Sequence, residues 1–132
     1  NKGWALSGLG KKEEAIQAFD KAISIDPKDP SSWNCKGNAL IDLGKHDEAA
    51  KAYEKAIELD PKDPVTWYNK GAAFYGLKKY EDALCNFNKA LEIDPKEALI
   101  WHSKGKALKA LNRTEESDSA FAKAKELGNK EE

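Results

Sequence analysis

No run of apolar residues in this 132-residue sequence is long. Ala98-Leu99-Ile100-Trp101 is among the longest, far short of the roughly 18 residues a helix needs to cross a bilayer. Neither sign of charge is in excess: 22 Lys+Arg stand against 23 Asp+Glu, a formal net charge of −1. So balanced a chain gives no electrostatic reason to expect nucleic acid or an anionic membrane surface as a partner. There are only two cysteines, Cys35 and Cys85, with no metal-type spacing between them. Both read as free thiols in a reducing compartment, which points to the cytoplasm. His46 and His102 have no second His or Cys spaced to complete a metal site. Glycine-rich phosphate loops are missing, no base is placed beside either thiol, so both cysteines read as packing residues, and no acidic residue sits in an isolated apolar setting. The expectation is a non-catalytic chain with no cofactor and no metal. Methionine is also absent, and nothing follows from that. No signal peptide is visible, and the chain opens part-way through the pattern that organises it.

That pattern is a repeat. Asp26-Pro27, Asp60-Pro61 and Asp94-Pro95 recur every 34 residues, and Trp33, Trp67 and Trp101 recur with them. Lys-Gly returns in the same register at Lys2-Gly3, Lys36-Gly37, Lys70-Gly71 and Lys104-Gly105. A fixed period of this length marks a stack of small units, each too small to bury its own apolar face alone.

Within a period the apolar spacing is helical. Tyr80, Ala83, Leu84, Phe87, Ala90 and Leu91 share one side of a helix, and Trp67, Gly71, Phe74 and Tyr75 share one side of another. The polar break Gly76-Leu77-Lys78-Lys79 separates them. Asp29-Pro30 and Asp63-Pro64 place a capping carboxylate before a proline suited to the first helical turn. Pro27, Pro61 and Pro95 cannot continue the helices they follow. These joints predict eight helices, over 1–9, 12–25, 30–43, 46–59, 64–77, 80–93, 97–111 and 114–127. Gly3, Gly37, Gly71 and Gly105 fall mid-helix, where glycine costs about 1 kcal/mol relative to alanine. That cost is tolerable if a side chain there would block the partner helix. Phe19, Tyr53, Phe87 and Phe121 are the large rings expected to fill the space opposite.

The order tryptophan, small residue, aromatic, alanine, aromatic, alanine, proline resembles the tetratricopeptide repeat family over essentially the whole chain. The resemblance implies an all-α fold: stacked antiparallel helix pairs wound into a right-handed superhelix, an α-solenoid, with the first helix of each pair lining a concave groove. It divides residues 1–132 into a partial repeat at 1–29 and repeats at 30–63, 64–97 and 98–131. Lysines 2, 36, 70 and 104 depart from the family, which often has leucine there. Their aliphatic stems are expected to pack between helices while the ammonium groups reach solvent or a carboxylate.

The ends differ. Ile16 and Ile23, Ala50 and Ile57, and Leu84 and Leu91 are apolar pairs expected to face a following unit, but the last unit has Asp118 and Lys125 instead, with Ser117 replacing an alanine. Terminal repeats become polar in this way. Gly128 is expected to stop the last helix, ending the array near Leu127. At the other end the first helix lacks its opening turn and its tryptophan, which suggests a piece cut from a longer array and a surface open to self-association.

By resemblance the groove residues are Trp4, Asn34, Asn38, Tyr68, Asn69, Tyr75, His102, Lys106 and Lys109. Tyrosine offers large contact area with a hydrogen-bonding tip, and asparagine can pair with an extended peptide backbone. The expected function is a protein–protein interaction module that takes a peptide or partner helix in that groove as a non-catalytic scaffold. Family members that grip the carboxylate of chaperone tails use two asparagines with three basic residues. Here Asn38 and Asn69 match the asparagines, but Asn34, Leu99 and Ser103 occupy the basic positions, which argues against such a ligand. Two other readings compete: a structural array stacking on itself, and the regulatory end of a larger multidomain protein.

Overall fold

The computed structural model describes the backbone of residues 2–129 and the side chains of residues 13–128. Seven helices make up the described chain, with no strand among them: α1 (Lys2–Ile25), α2 (Pro30–Asp42), α3 (His46–Leu59), α4 (Pro64–Gly76), α5 (Tyr80–Ile93), α6 (Ala98–Ala110) and α7 (Thr114–Asn129). They form two compact units, Asn1–Pro61 with α1 to α3 and Lys62–Glu132 with α4 to α7. The fold class is an all-α solenoid of helix pairs.

Local chemistry sets the boundaries. The Asp29 carboxylate accepts from Ser31 N at 3.0 Å and from Ser32 Oγ at 3.2 Å, and Asp63 does the same for Val65 N at 3.0 Å and Thr66 Oγ1 at 3.2 Å. Pro30 and Pro64 follow in the first turn, where their missing N–H costs nothing. Glu97 begins α6 without a side-chain cap. Each pair turns through a residue in the left-handed region: Gly44 at φ 79°, Lys78 at 64° and Asn112 at 63°. Lys79 N then reaches back to Phe74 O at 2.9 Å and Lys78 N to Tyr75 O at 3.0 Å, which satisfies the last carbonyls of α4.

Packing within a pair rests on glycine facing a ring. A Cβ on Gly71 would lie 2.6 Å from Phe87 Cε1, and one on Gly37 would lie 2.5 Å from Tyr53 Cε1. Removing the methyl lets the second helix press its aromatic against the first helix's backbone. In unit 2 this buries Phe87 to 1% exposure, with Ala83 and Ala90 at 0% beside it. Burial of a ring of this size contributes about 1.5–3 kcal/mol. Leu91 and Ile100 join the same cluster, while Leu84 of α5, Leu108 of α6 and Ala120 of α7 form a second one.

Three lysines of the register set their ammonium groups over tryptophan rings, a contact the sequence did not announce. The ammonium groups of Lys36, Lys70 and Lys104 lie 5.6, 5.9 and 5.0 Å from the ring centroids of Trp33, Trp67 and Trp101. Lys36 also meets a carboxylate, Asp20 Oδ1 at 2.6 Å.

Four expectations are corrected. Residues 1–9 and 12–25 do not make two helices: α1 runs unbroken from Lys2 to Ile25 through Gly10. Lys11 to Glu14 are good helix formers, and a glycine permits a left-handed turn without imposing one. With no helix folded back on them, Ala15, Phe19 and Ala22 are only half-buried, whereas Ala49, Tyr53 and Ala56 are buried. Ser117 is not part of a polar end face: it is 1% exposed and its hydroxyl donates to Gly105 O at 2.8 Å. Asp118 and Lys125 are the exposed pair. Gly128 does not stop α7, which runs to Asn129 because no proline follows to break it. Cys85, expected to be a packing residue, is exposed, and Cys35 is half-buried; both are free thiols.

Candidate partner-binding groove

The first helices of each pair carry the expected groove residues, and the 34-residue register dictates which ones share a position. Asn34, Tyr68 and His102 share one, as do Asn38 and Lys106. Trp4 shares the second, but its side chain lies outside the described residues.

In unit 2 the side chains converge. Tyr68, Ala72 and Tyr75 of α4, Phe87 of α5 and Ser103 and Lys106 of α6 line a pocket of about 120 Å³. The Tyr68 ring tilts against Phe87 with centroids 5.7 Å apart, and Ser103 Oγ donates to Tyr68 OH at 3.4 Å. Tyr75 stands edge-on to Tyr80 at 5.2 Å, while Lys106 Nζ sits 5.7 Å from the centroid of the Tyr75 ring. The result is an apolar slot the size of a few methylene groups, with phenol and hydroxyl tips at its mouth and one ammonium on its rim. Such a slot suits a single side chain presented by another chain, since its walls are held by ring packing and lose little freedom on binding.

The remaining residues take other positions. His102 is exposed on α6 and packs on Phe121 with centroids 5.2 Å apart, the same contact that Tyr68 makes with Phe87 one register earlier. Lys109 is exposed and adds a positive charge to the last turn of α6, where the helix dipole favours it. Asn69 of α4 is half-buried. In unit 1, Asn34 of α2 is half-buried and Asn38 is exposed. Tyr53 OH donates to Asn38 Oδ1 at 2.5 Å, leaving the amide N–H₂ as that side chain's donor to a ligand. Burial pushes the Tyr53 hydroxyl well above the usual tyrosine range, with Asp42 and Cys35 adding to it.

Sequence reasoning missed Phe87, Ala72 and Ser103 as pocket walls. Phe87 was assigned to packing alone, which it also does. The register held the signal for the other two: Ala72 lies between Asn38 and Lys106, and Ser103 follows Asn69. His46 opens α3, its Nδ1 3.1 Å from Gly44 O. Among the described residues no group of three His, Cys, Asp or Glu could hold a metal ion, and no helix is long and apolar enough to cross a membrane.

Models of the tetratricopeptide repeat match residues 1–29 and 64–97, 18–51, and 98–131, and a TPR repeat model matches 37–78. The chain belongs to the tetratricopeptide repeat family. Among solved structures it is similar to the first TPR of Spaghetti (RPAP3) bound to an HSP90 peptide, SRMEEVD, at 30% identity and TM-score 0.74, covering 77% of this chain and 81% of that one. It is similar as well to residues 41-end of MamA from Desulfovibrio magneticus RS-1, at 25% identity and TM-score 0.85, covering 97% and 72% of the two chains. A crystal structure of MamA shares the fold at 22% identity and TM-score 0.88, covering 98% and 75%. No curated protein matches the chain. Tetratricopeptide repeats are protein-interaction scaffolds, generally non-catalytic, and this chain has their architecture.

Proposed function

We propose that the first-helix face binds a peptide or a helix of a partner protein, with the pocket of Tyr68, Tyr75 and Phe87 taking one anchoring apolar side chain. The observation that carries this reading is the pocket itself: three rings and a lysine converge on a space that nothing within unit 2 fills. Lys106 on its rim would favour an acidic residue beside the anchor. Asn69, His102 and Lys109 extend the first-helix face of unit 2 with hydrogen-bonding and basic groups. A single short ligand would bind at micromolar strength, about −8 kcal/mol. The free thiols of Cys35 and Cys85 suit a reducing, cytoplasmic setting.

The RPAP3 repeat is bound to an HSP90 peptide, but the cations that would neutralise a terminal carboxylate are missing here, where Asn34, Leu99 and Ser103 stand. The ligand proposed is therefore an internal segment with an apolar anchor rather than a chaperone tail. Affinity capture from the source cell's lysate tests the reading, comparing this chain with Tyr68→Ala/Tyr75→Ala by mass spectrometry. A protein retained by the first and lost by the second supports the groove. Equal retention by both, or retention only of further copies of this chain, moves the function to self-stacking.

A further inference from the structure

The lysine register marks a second surface, on the side of each unit where Trp, Lys and Leu of a first helix face the helix after it. In unit 1 this is a groove of about 680 Å³ that includes Trp33, Lys36, Leu40 and Ala52. In unit 2 Trp101, Lys104, Leu108 and Ala120 line a groove of about 390 Å³, each residue 68 positions later. The repeat thus sets the same four residues in a groove of each unit, the unit 2 groove being smaller and differently charged.

The unit 1 groove is neutralised from within. Four lysines and four carboxylates line it, and Asp20 meets Lys36 directly at 2.6 Å. In unit 2 the residue in Asp20's register is Asn88, which carries no charge. Lys104 and Lys123 line the groove with a single carboxylate, Glu116, and that carboxylate is held by Arg113 Nη2 at 2.8 Å. Among the described residues none forms an ion pair with Lys104. Its ammonium is instead half-buried over Trp101. Burial pushes its pKa below the ordinary lysine value; Glu116 opposes this and Arg113 adds to it. A cation held partly out of water with no direct ion pair, beside a carboxylate already engaged by Arg113, gains from a further carboxylate brought to it.

We infer that the Trp101–Lys104–Leu108 groove of unit 2 docks an acidic side chain of a partner protein, flanked by an aliphatic residue, which occupies the role Asp20 plays for Lys36. Trp101, Leu108 and Ala120 supply the apolar floor for the aliphatic neighbour, and Lys104 and Lys123 pair with the carboxylate. This surface is separate from the Tyr68–Tyr75 pocket and stands whether or not that pocket binds.

The probe is a short acetylated helical peptide with a Leu-Glu-x-x-Leu face, together with its twin carrying Gln in place of Glu. Both are titrated into the full chain while the Lys104 Nζ and Trp101 indole resonances are followed by NMR. The Glu peptide should bind about tenfold more tightly than the Gln twin. Asn88→Asp supplies the internal carboxylate, so it should raise the Lys104 pKa and abolish the preference. Lys104→Leu should do the same to the preference while keeping its helicity, because leucine is common there in the family. Tyr68→Ala/Tyr75→Ala should leave the preference unchanged. Equal binding of the twins, a preference that survives Asn88→Asp, or an equal response to sodium acetate at the same concentration would overturn the inference.

Discussion

Replacing Gly71 by alanine tests the packing that holds both the pair and the pocket. On helix propensity alone the change should stabilise by about 1 kcal/mol. Sterics oppose it. The new methyl would lie 2.6 and 2.8 Å from Phe87 Cε1 and Cδ1, and 3.2 Å from the Ala83 carbonyl. Phe87 is 1% exposed and its ring is held against Tyr68, so it cannot swing aside without moving the pocket wall. Overpacking of this kind costs about 1–3 kcal/mol. The net expectation is a loss of about 1 kcal/mol, seen as a Tm lower by about 3–6 °C in calorimetry. Gly128→Ala is the control, because a Cβ there meets nothing within 4 Å and α7 is helical at that point. It should gain up to about 1 kcal/mol. In a Phe87→Ala background the obstruction is gone, and Gly71→Ala should become stabilising. A Gly71→Ala protein as stable as the wild type, or the same effect in both backgrounds, would refute the close-approach argument.

The turns give a second test: Gly44→Ala, at φ 79°, should cost about 1 kcal/mol, and Lys78→Gly, at φ 64°, should gain somewhat less, both read from urea unfolding midpoints. Glu97→Asp should install on α6 the cap that Asp63 gives α4, raising stability by about 0.5–1 kcal/mol in the same assay. Tyr53 sets a pH dependence. Its folded pKa lies above the unfolded value, so above about pH 10 the unfolded state releases a proton that the folded state retains, and stability falls as pH rises. Tyr53→Phe should lose about 1 kcal/mol at neutral pH with the Asn38 bond, and should show a shallower alkaline decline in thermal melts taken from pH 8 upward.

Helix boundaries were legible wherever local chemistry sets them. α3 and α5 occupy the predicted spans 46–59 and 80–93, and the Asp-Pro joints cap α2 and α4 as their residues require. What the sequence hides are features decided by tertiary contact. Gly10 occupies the register of Gly44, Lys78 and Asn112, yet only those three turn. A turn in the left-handed region forms when the helices it joins bury enough against each other, and a glycine in the right register does not by itself make one. Ser117 looked polar because residue type says nothing of the Gly105 carbonyl waiting opposite it. The register that aligns the expected groove residues along the first helices was legible. The pocket was not, because Phe87 both packs the core and walls the cavity, and a periodic pattern cannot separate the two roles.

The most direct test of the central claim is the affinity of a captured partner's binding segment for this chain and for Tyr68→Ala/Tyr75→Ala, by titration calorimetry, with circular dichroism on both. The account predicts micromolar binding to the wild type and a loss of at least about a hundredfold in the variant at unchanged helicity, since central aromatic anchors carry most of such an interface. Affinities within about twofold of each other, which is under 0.5 kcal/mol, would contradict it.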